Sequence, residues 1–171
     1  MDIEAAVALL EGSDDFRVLR RMVDRREYHA PDGAETKLGI VLDVETTGTN
    51  PDTDEIIELA MLPFRFSPDG RIFDVLDAFD ELQEPTSGVV PPEITRITGI
   101  TTEMVRGKTI SLENASKIAA PAAIVIAHNA RFDRRFVEKA FPVFSTKAWA
   151  CSMTEIPWRE EQFEGLKLEY L

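Results

Sequence analysis

The stretch "GIVLDVETTG", from Gly39 to Gly48, begins like a buried strand and then places Asp43 and Glu45 where further hydrophobes are expected. An unpartnered carboxylate costs several kcal/mol to bury, so two of them on a core strand need a reason. On a strand, side chains at i and i+2 share a face. Asp43 and Glu45 therefore project together near the end of the strand, while Ile40, Leu42 and Val44 face the other way and pack. Two neighbouring carboxylates repel and take up a proton unless a cation lies between them. Oxygen-only sites of this kind suit Mg²⁺ or Mn²⁺. The ordinary alternative is a strand end that simply emerges into solvent.

A second stretch, "AHNARFDRRF" (127–136), shifts the weight. It runs off a continuously apolar strand, "AAIVIAH" (122–128), into a helix over 130–141, and puts Asp133 near that helix's first turn. The apolar run is expected to be covered on both sheet faces. If this strand lies beside residues 38–45, a third carboxylate reaches the same sheet end. Asn129 is placed to cap the helix or to touch a substrate, and both readings stay open. Arg131, Arg134 and Arg135 read first as a solvated helix face, with phosphate contacts as the alternative.

Between these stretches the pattern predicts a strand over 54–66, a tight turn at "SPDG" (67–70) and a returning strand over 71–82. The Pro-started segment 91–101 reads as a loop or short helical turn, followed by a small helix near 102–106. Ser111 opens a helix over 111–120, "AWACSM" (148–153) reads as a buried strand, and Leu166, Leu168 and Leu171 suggest the first turns of a final helix. Three antiparallel strands followed by strand–helix–strand units predict an α/β mixed sheet flanked by helices. Its site is expected at the carboxyl ends of the parallel strands.

Residues 1–36 are expected to form a helical N-terminal extension and linker, and 37–171 the main domain. In the extension, one helix ends at Gly12 and a second runs through "SDDFRVLRRMVDRREY", with Phe16, Leu19, Met22 and Val23 at helical spacing. Cys151 is the only cysteine, which excludes an intrachain disulfide and fits a reducing cytoplasm. No apolar run approaches a membrane span, and the N-terminus lacks the marks of a signal peptide. A formal charge of −12 argues against broad binding of nucleic acid through a basic surface. It leaves room for an enzyme that handles phosphates through metal ions.

Asp43-x-Glu45-Thr46-Thr47-Gly48, followed by His128-Asn129-Ala130-x-Phe132-Asp133, resembles the DEDD superfamily of 3′–5′ exonucleases. More narrowly, these residues resemble the DEDDh-type family of the DNA polymerase III epsilon proofreading subunit. "DEIIELAML" with Glu58 is similar to that family's second strand, and "RITGIT" (96–101) to its loop after strand three. The resemblance implies a ribonuclease-H-like fold and a two-metal mechanism releasing nucleoside 5′-monophosphates. It implies Asp43, Glu45 and Asp133 as catalytic metal ligands for two Mg²⁺ or Mn²⁺ ions. It implies Val44, Thr46, Thr47, His128, Asn129 and Phe132 as contacts to the terminal nucleotide, with Gly48 permitting the turn. The expected partners are 3′ ends of single-stranded or frayed DNA, or of RNA, and a DNA polymerase subunit.

The family pattern also carries a late His-x-Ala-x-x-Asp motif. The sequence has two histidines, His29 and His128, and "HNARFD" itself fits that pattern, although its preceding strand and following elements make it the second motif. The chain therefore resembles an exonuclease lacking the C-terminal part of the fold, with weak or no activity expected of these residues alone. A non-catalytic docking module and an RNA 3′-end trimming enzyme remain the alternatives.

Overall fold

In the computed structural model, the described residues are 2–16, 18, 24–161, 163 and 165–168. The elements are α1 (Ile3–Glu11), β1 (Lys37–Thr46), β2 (Ile56–Phe66), β3 (Ile72–Val75), β4 (Phe79–Leu82), α2 (Pro92–Thr98) and α3 (Thr102–Val105). They continue with α4 (Leu112–Ala119), β5 (Ala122–Ala127), α5 (Ala130–Ala140), a 3-10 turn (Pro142–Thr146), β6 (Ala148–Cys151) and α6 (Ser152–Glu155). One six-stranded mixed sheet runs β3-β2-β1-β5-β6, and β4 also pairs with β2. β1 is antiparallel to β2 and parallel to β5, which is itself parallel to β6. The α/β mixed sheet flanked by helices matches the expected class.

The core is built from the buried side of that sheet. Ile40, Leu42 and Val44 of β1 pack with Leu59, Met61 and Val125, against Ala115 and Ala119 of α4, Phe136 and Val137 of α5, and Phe144. Ser111 caps α4, its Oγ accepting the Asn114 N–H at 3.2 Å. Gly39 is dictated by a close approach: a Cβ there would meet the Phe64 ring at 2.4 Å.

Several expectations give way. The strand over 71–82 is two strands, because the ladder with β2 is interrupted at Pro63. The Pro63 carbonyl accepts the Leu76 N–H, so Pro63 turns toward the returning chain the side on which it has no N–H to give. The ladder resumes one residue out of step, from Phe64–Val75 to Met61–Phe79. β5 is not covered on both faces: Ala123 is exposed and Ile124 and Ile126 are half-buried. On that same open face Val41 is 44% and Leu62 38% exposed. β6 is an edge strand, exposed at Ala148 and half-buried from Trp149, that stops at Cys151 and passes into the single turn α6, so "AWACSM" is neither fully buried nor all strand.

In the N-terminal region, α1 buries none of its residues. The predicted second helix falls partly outside the described residues, which exclude Leu19, Met22 and Val23. Its described end is extended rather than helical: Glu27 bridges Asp74, and the Tyr28 N–H reaches the Phe73 carbonyl at 2.8 Å. Edge pairing satisfies these backbone groups in place of a helix. Asp32 further ties the linker down through Arg71. Leu166 and Leu168 are exposed, and Leu171 lies outside the described residues. Among the described residues no helix is long and apolar enough to cross a membrane.

Candidate active site

β1 delivers Asp43 and Glu45 at its C-terminal end, and the antiparallel register sets Glu45 directly opposite Glu58 of β2. Asp43 lies opposite Ala60, which in turn pairs with Asp80 of β4. Directly opposed residues share a sheet face. Four carboxylates from three strands thus share one face. The third predicted carboxylate arrives from the helix side: Asp133 is 2% exposed, and its Oδ1 accepts the Val44 N–H at 3.2 Å. That bond joins the first turn of α5 to the end of β1.

The electrostatics record this crowding. Burial pushes the Asp133 carboxyl up to about 7; the Asp43 and Glu45 charges add to the rise, and N–H bonds from Val44 and its own backbone oppose it. Glu45 is raised by burial, then by Asp43 and Glu58. Glu58 is raised by burial, then by Asp80 and Asp43. Although solvent reaches Asp43, the protein around it still raises its pKa, and only His128 pulls the other way. Asp43, Glu45, Glu58 and Asp133 are each held where their charge is disfavoured without a cation.

In donor type this set fits a hard divalent ion, since it is all oxygen. Among the described residues no three His, Cys, Asp or Glu side chains are gathered closely enough to hold a metal as they stand. Asp43, Glu45 and Asp133 are thus brought to one sheet end and electrostatically coupled, without being closed around an ion point.

The other predicted site residues divide. The Val44 side chain is in the core and offers the site its backbone N–H. Thr46 is buried and its hydroxyl donates to the Gly48 carbonyl at 2.5 Å. Thr47 closes a loop with Glu55, its N–H on the Glu55 carbonyl and its hydroxyl accepting the Glu55 N–H, both at 2.9 Å. The Glu55 carboxylate then holds the Thr86 N–H and hydroxyl. Gly48 does not have a positive φ, and a Cβ there would meet Asp54 Oδ2 at 2.4 Å, so the Asp54 carboxylate would have to move aside.

Both His128 ring nitrogens are engaged, Nδ1 with Ser152 Oγ at 3.0 Å and Nε2 with the Leu166 carbonyl at 2.5 Å. Phe132 stacks on Phe136, with ring centroids 5.1 Å apart, and belongs largely to packing. Asn129 does not cap α5 with its side chain; it is exposed and holds the left-handed conformation, φ 65° and ψ 47°. A non-glycine residue held there stores modest strain beside the carboxylates. Reasoning from sequence missed Asp80 and gave Glu58 no place in the site. Only the β1–β2–β4 register reveals them, although Glu58, set among the apolar residues that open β2, was a signal.

Comparison with known proteins places this arrangement. Residues 40–160 match the RNase T family, described as exonuclease. The PolC-type DNA polymerase III of Thermotoga petrophila is 32% identical over 75% of the chain, and that of Thermotoga maritima 30% identical over 75%. The chain spans 8% of the length of each of these polymerases. Among solved structures, E. coli Exonuclease I in complex with a dT13 oligonucleotide superposes with a TM-score of 0.61 at 18% identity, covering 79% of this chain and 35% of that one. An ExoI/SSB-Ct complex gives 0.59 at 17% identity, covering 80% and 36%. These structural likenesses carry the ribonuclease-H-like fold, and the sequence match carries the family. The chain belongs to the RNase T exonuclease family, within the DEDD exonuclease superfamily.

Proposed function

We propose that this domain removes nucleotides from the 3′ ends of DNA, with Asp43, Glu45 and Asp133 as its metal-holding carboxylates. The observation that carries the reading is the coupling of these three groups at one sheet end, each disfavoured as an anion in the absence of a cation. Two divalent ions, Mg²⁺ or Mn²⁺, would stabilise the attacking water and the departing 3′ oxygen. Asp43, which shares a face of β1 with Glu45, would be one of the ligands that hold them. Glu45 would hold one of them near the terminal nucleotide, and Asp133 the other.

The chain's own residues prepare the site. The Val44 N–H fixes the Asp133 carboxylate by one of its oxygens. Thr46 and Thr47 shape the loop, so a terminal nucleotide would be seated by that backbone rather than by their hydroxyls. Asn129, exposed and uncapped, is the polar side chain beside the carboxylates that remains open to a substrate contact. His128, with both nitrogens engaged, would position the chain near Leu166 instead of the nucleotide.

The polymerase relatives support DNA over RNA as substrate and a polymerase as partner. The division into an extension over 1–36 and an exonuclease domain over 37–171 belongs to the same reading. These residues contain no second His-x-Ala-x-x-Asp motif, so their turnover alone is expected to be slow.

The test is release of mononucleotides from 3′-labelled single-stranded DNA with Mn²⁺, by this chain and by a form extended at its C-terminus. Release that Asp43→Ala abolishes supports the reading. An extended form carrying all the motifs that releases none makes the domain a docking module instead. Release that persists in Asp43→Ala shows that the activity belongs to something else.

A further inference from the structure

Glu45 stands at an irregularity of the sheet. It lies opposite Glu58, but the next pair is Thr46 with Ile56, so Ile57 is an extra residue on β2. Such a bulge leaves its extra residue unpaired and disrupts the ladder locally. Ile57 is fully buried in a second small core with Val90, Ile100 and Val105, and its carbonyl accepts the Gln83 N–H at 2.8 Å. The regular bonds that steady a strand end are therefore lost beside one of the site's carboxylates.

Glu55 supplies the missing hold from two sides. Its main chain exchanges two bonds with Thr47, two residues beyond Glu45. The Thr47 N–H donates to the Glu55 carbonyl and the Glu55 N–H to the Thr47 hydroxyl, both at 2.9 Å. Its half-buried carboxylate accepts the Thr86 N–H at 3.0 Å and the Thr86 hydroxyl at 2.7 Å. Thr86 belongs to a segment that is itself fastened. Neighbouring Glu84 gives its N–H to the Lys108 carbonyl at 3.0 Å, and its Oε2 accepts the Gly107 N–H at 2.9 Å. We propose that Glu55 is a positioning residue of the site: by tying Thr47 to Thr86 across the bulge, it fixes the end of β1 and the direction of the Glu45 carboxylate. This rests on the metal-holding role given to Glu45 above. A group that orients a metal ligand without touching the metal commonly contributes about 10–100-fold to metal affinity.

The test is Mn²⁺ binding to the whole chain, with free Mn²⁺ read by electron paramagnetic resonance. E55A should weaken binding about ten-fold or more, while E55Q, which keeps an oxygen for the Thr86 N–H, should stay within about three-fold of the parent. T86A, which removes only an exposed hydroxyl, should also weaken binding, and E55A/T86A should lose no more than E55A alone. R71Q breaks ion pairs at the other end of the sheet and should change nothing. An unchanged affinity in E55A overturns the positioning role. So does an equal loss in E55Q, which makes the charge and not the hydrogen bonds responsible, an additive loss in E55A/T86A, or a matching loss in R71Q. In each of these cases, loss of binding in D43A leaves the nuclease reading standing. A parent chain that binds no Mn²⁺, or binds it no better than D43A does, overturns both.

Discussion

Replacing Asp133 by Asn removes a charge the fold disfavours while keeping an oxygen for the Val44 N–H. The folded-state pKa of Asp133 is about 7, against an ordinary value of 3.8. The folded state therefore holds this proton more tightly than the unfolded chain does. Below about pH 4 both states carry it and nothing is lost. Between about pH 4 and 7 the unfolded chain gives it up first, so stability falls as pH rises, and the full cost stands above pH 7. About three pH units at 1.36 kcal/mol each give a cost on the order of 4 kcal/mol. Because the residue is 2% exposed, solvent screening removes little of this.

Urea unfolding of both proteins in a chelator, at pH values from about 4.5 to 8, isolates the effect, because other titrations cancel in the difference. D133N should come within about 1 kcal/mol of the parent near the acid end and exceed it by several kcal/mol at pH 8. Adding Mn²⁺ at pH 8 should narrow or reverse the gap, since a bound cation stabilises the ionised parent and not the amide. A stability difference that does not change with pH would show that Asp133 is not held as an unfavourable anion. So would an Asn variant that is weaker than the parent at pH 8.

Other substitutions probe the scaffold behind the site. Gly48→Ala sets a Cβ against Asp54 Oδ2, whose carboxylate can swing aside, and should cost at most about 1 kcal/mol in thermal or urea unfolding. Combining it with Asp54→Gly should recover part of that loss, and no recovery would mean the close approach is not what requires glycine. Gly39→Ala should cost about 1–3 kcal/mol through the Phe64 ring, and Phe64→Leu in the same chain should relieve it. Phe144→Ala empties a fully buried position and should cost about 3–5 kcal/mol by the same measurement.

Much of this was readable along the chain. The same-face placement of Asp43 and Glu45 follows from strand periodicity, and the packing of Ile40, Leu42 and Val44 from the complementary positions. The Ser111 cap, the strand before His128 and the helix after it are local chemistry, and local chemistry is written in consecutive residues. What sequence could not decide is what lies opposite what. Glu58 faces Glu45, and Asp80 lines up with Asp43 across Ala60, only because the β1–β2–β4 register puts them there. Pro63 divides the returning strand because its missing N–H points toward that strand, a matter of orientation across the sheet. The apolar run of β5 reads the same whether one face or two is covered, so its half-exposed isoleucines were not legible. His128 looked like a substrate contact beside Asn129, yet its partners are a serine on α6 and a carbonyl at Leu166. Residue order determines which face each side chain takes and which ends are capped. Only the tertiary structure decides which charges meet, because those energies depend on distances between segments that share no local signal.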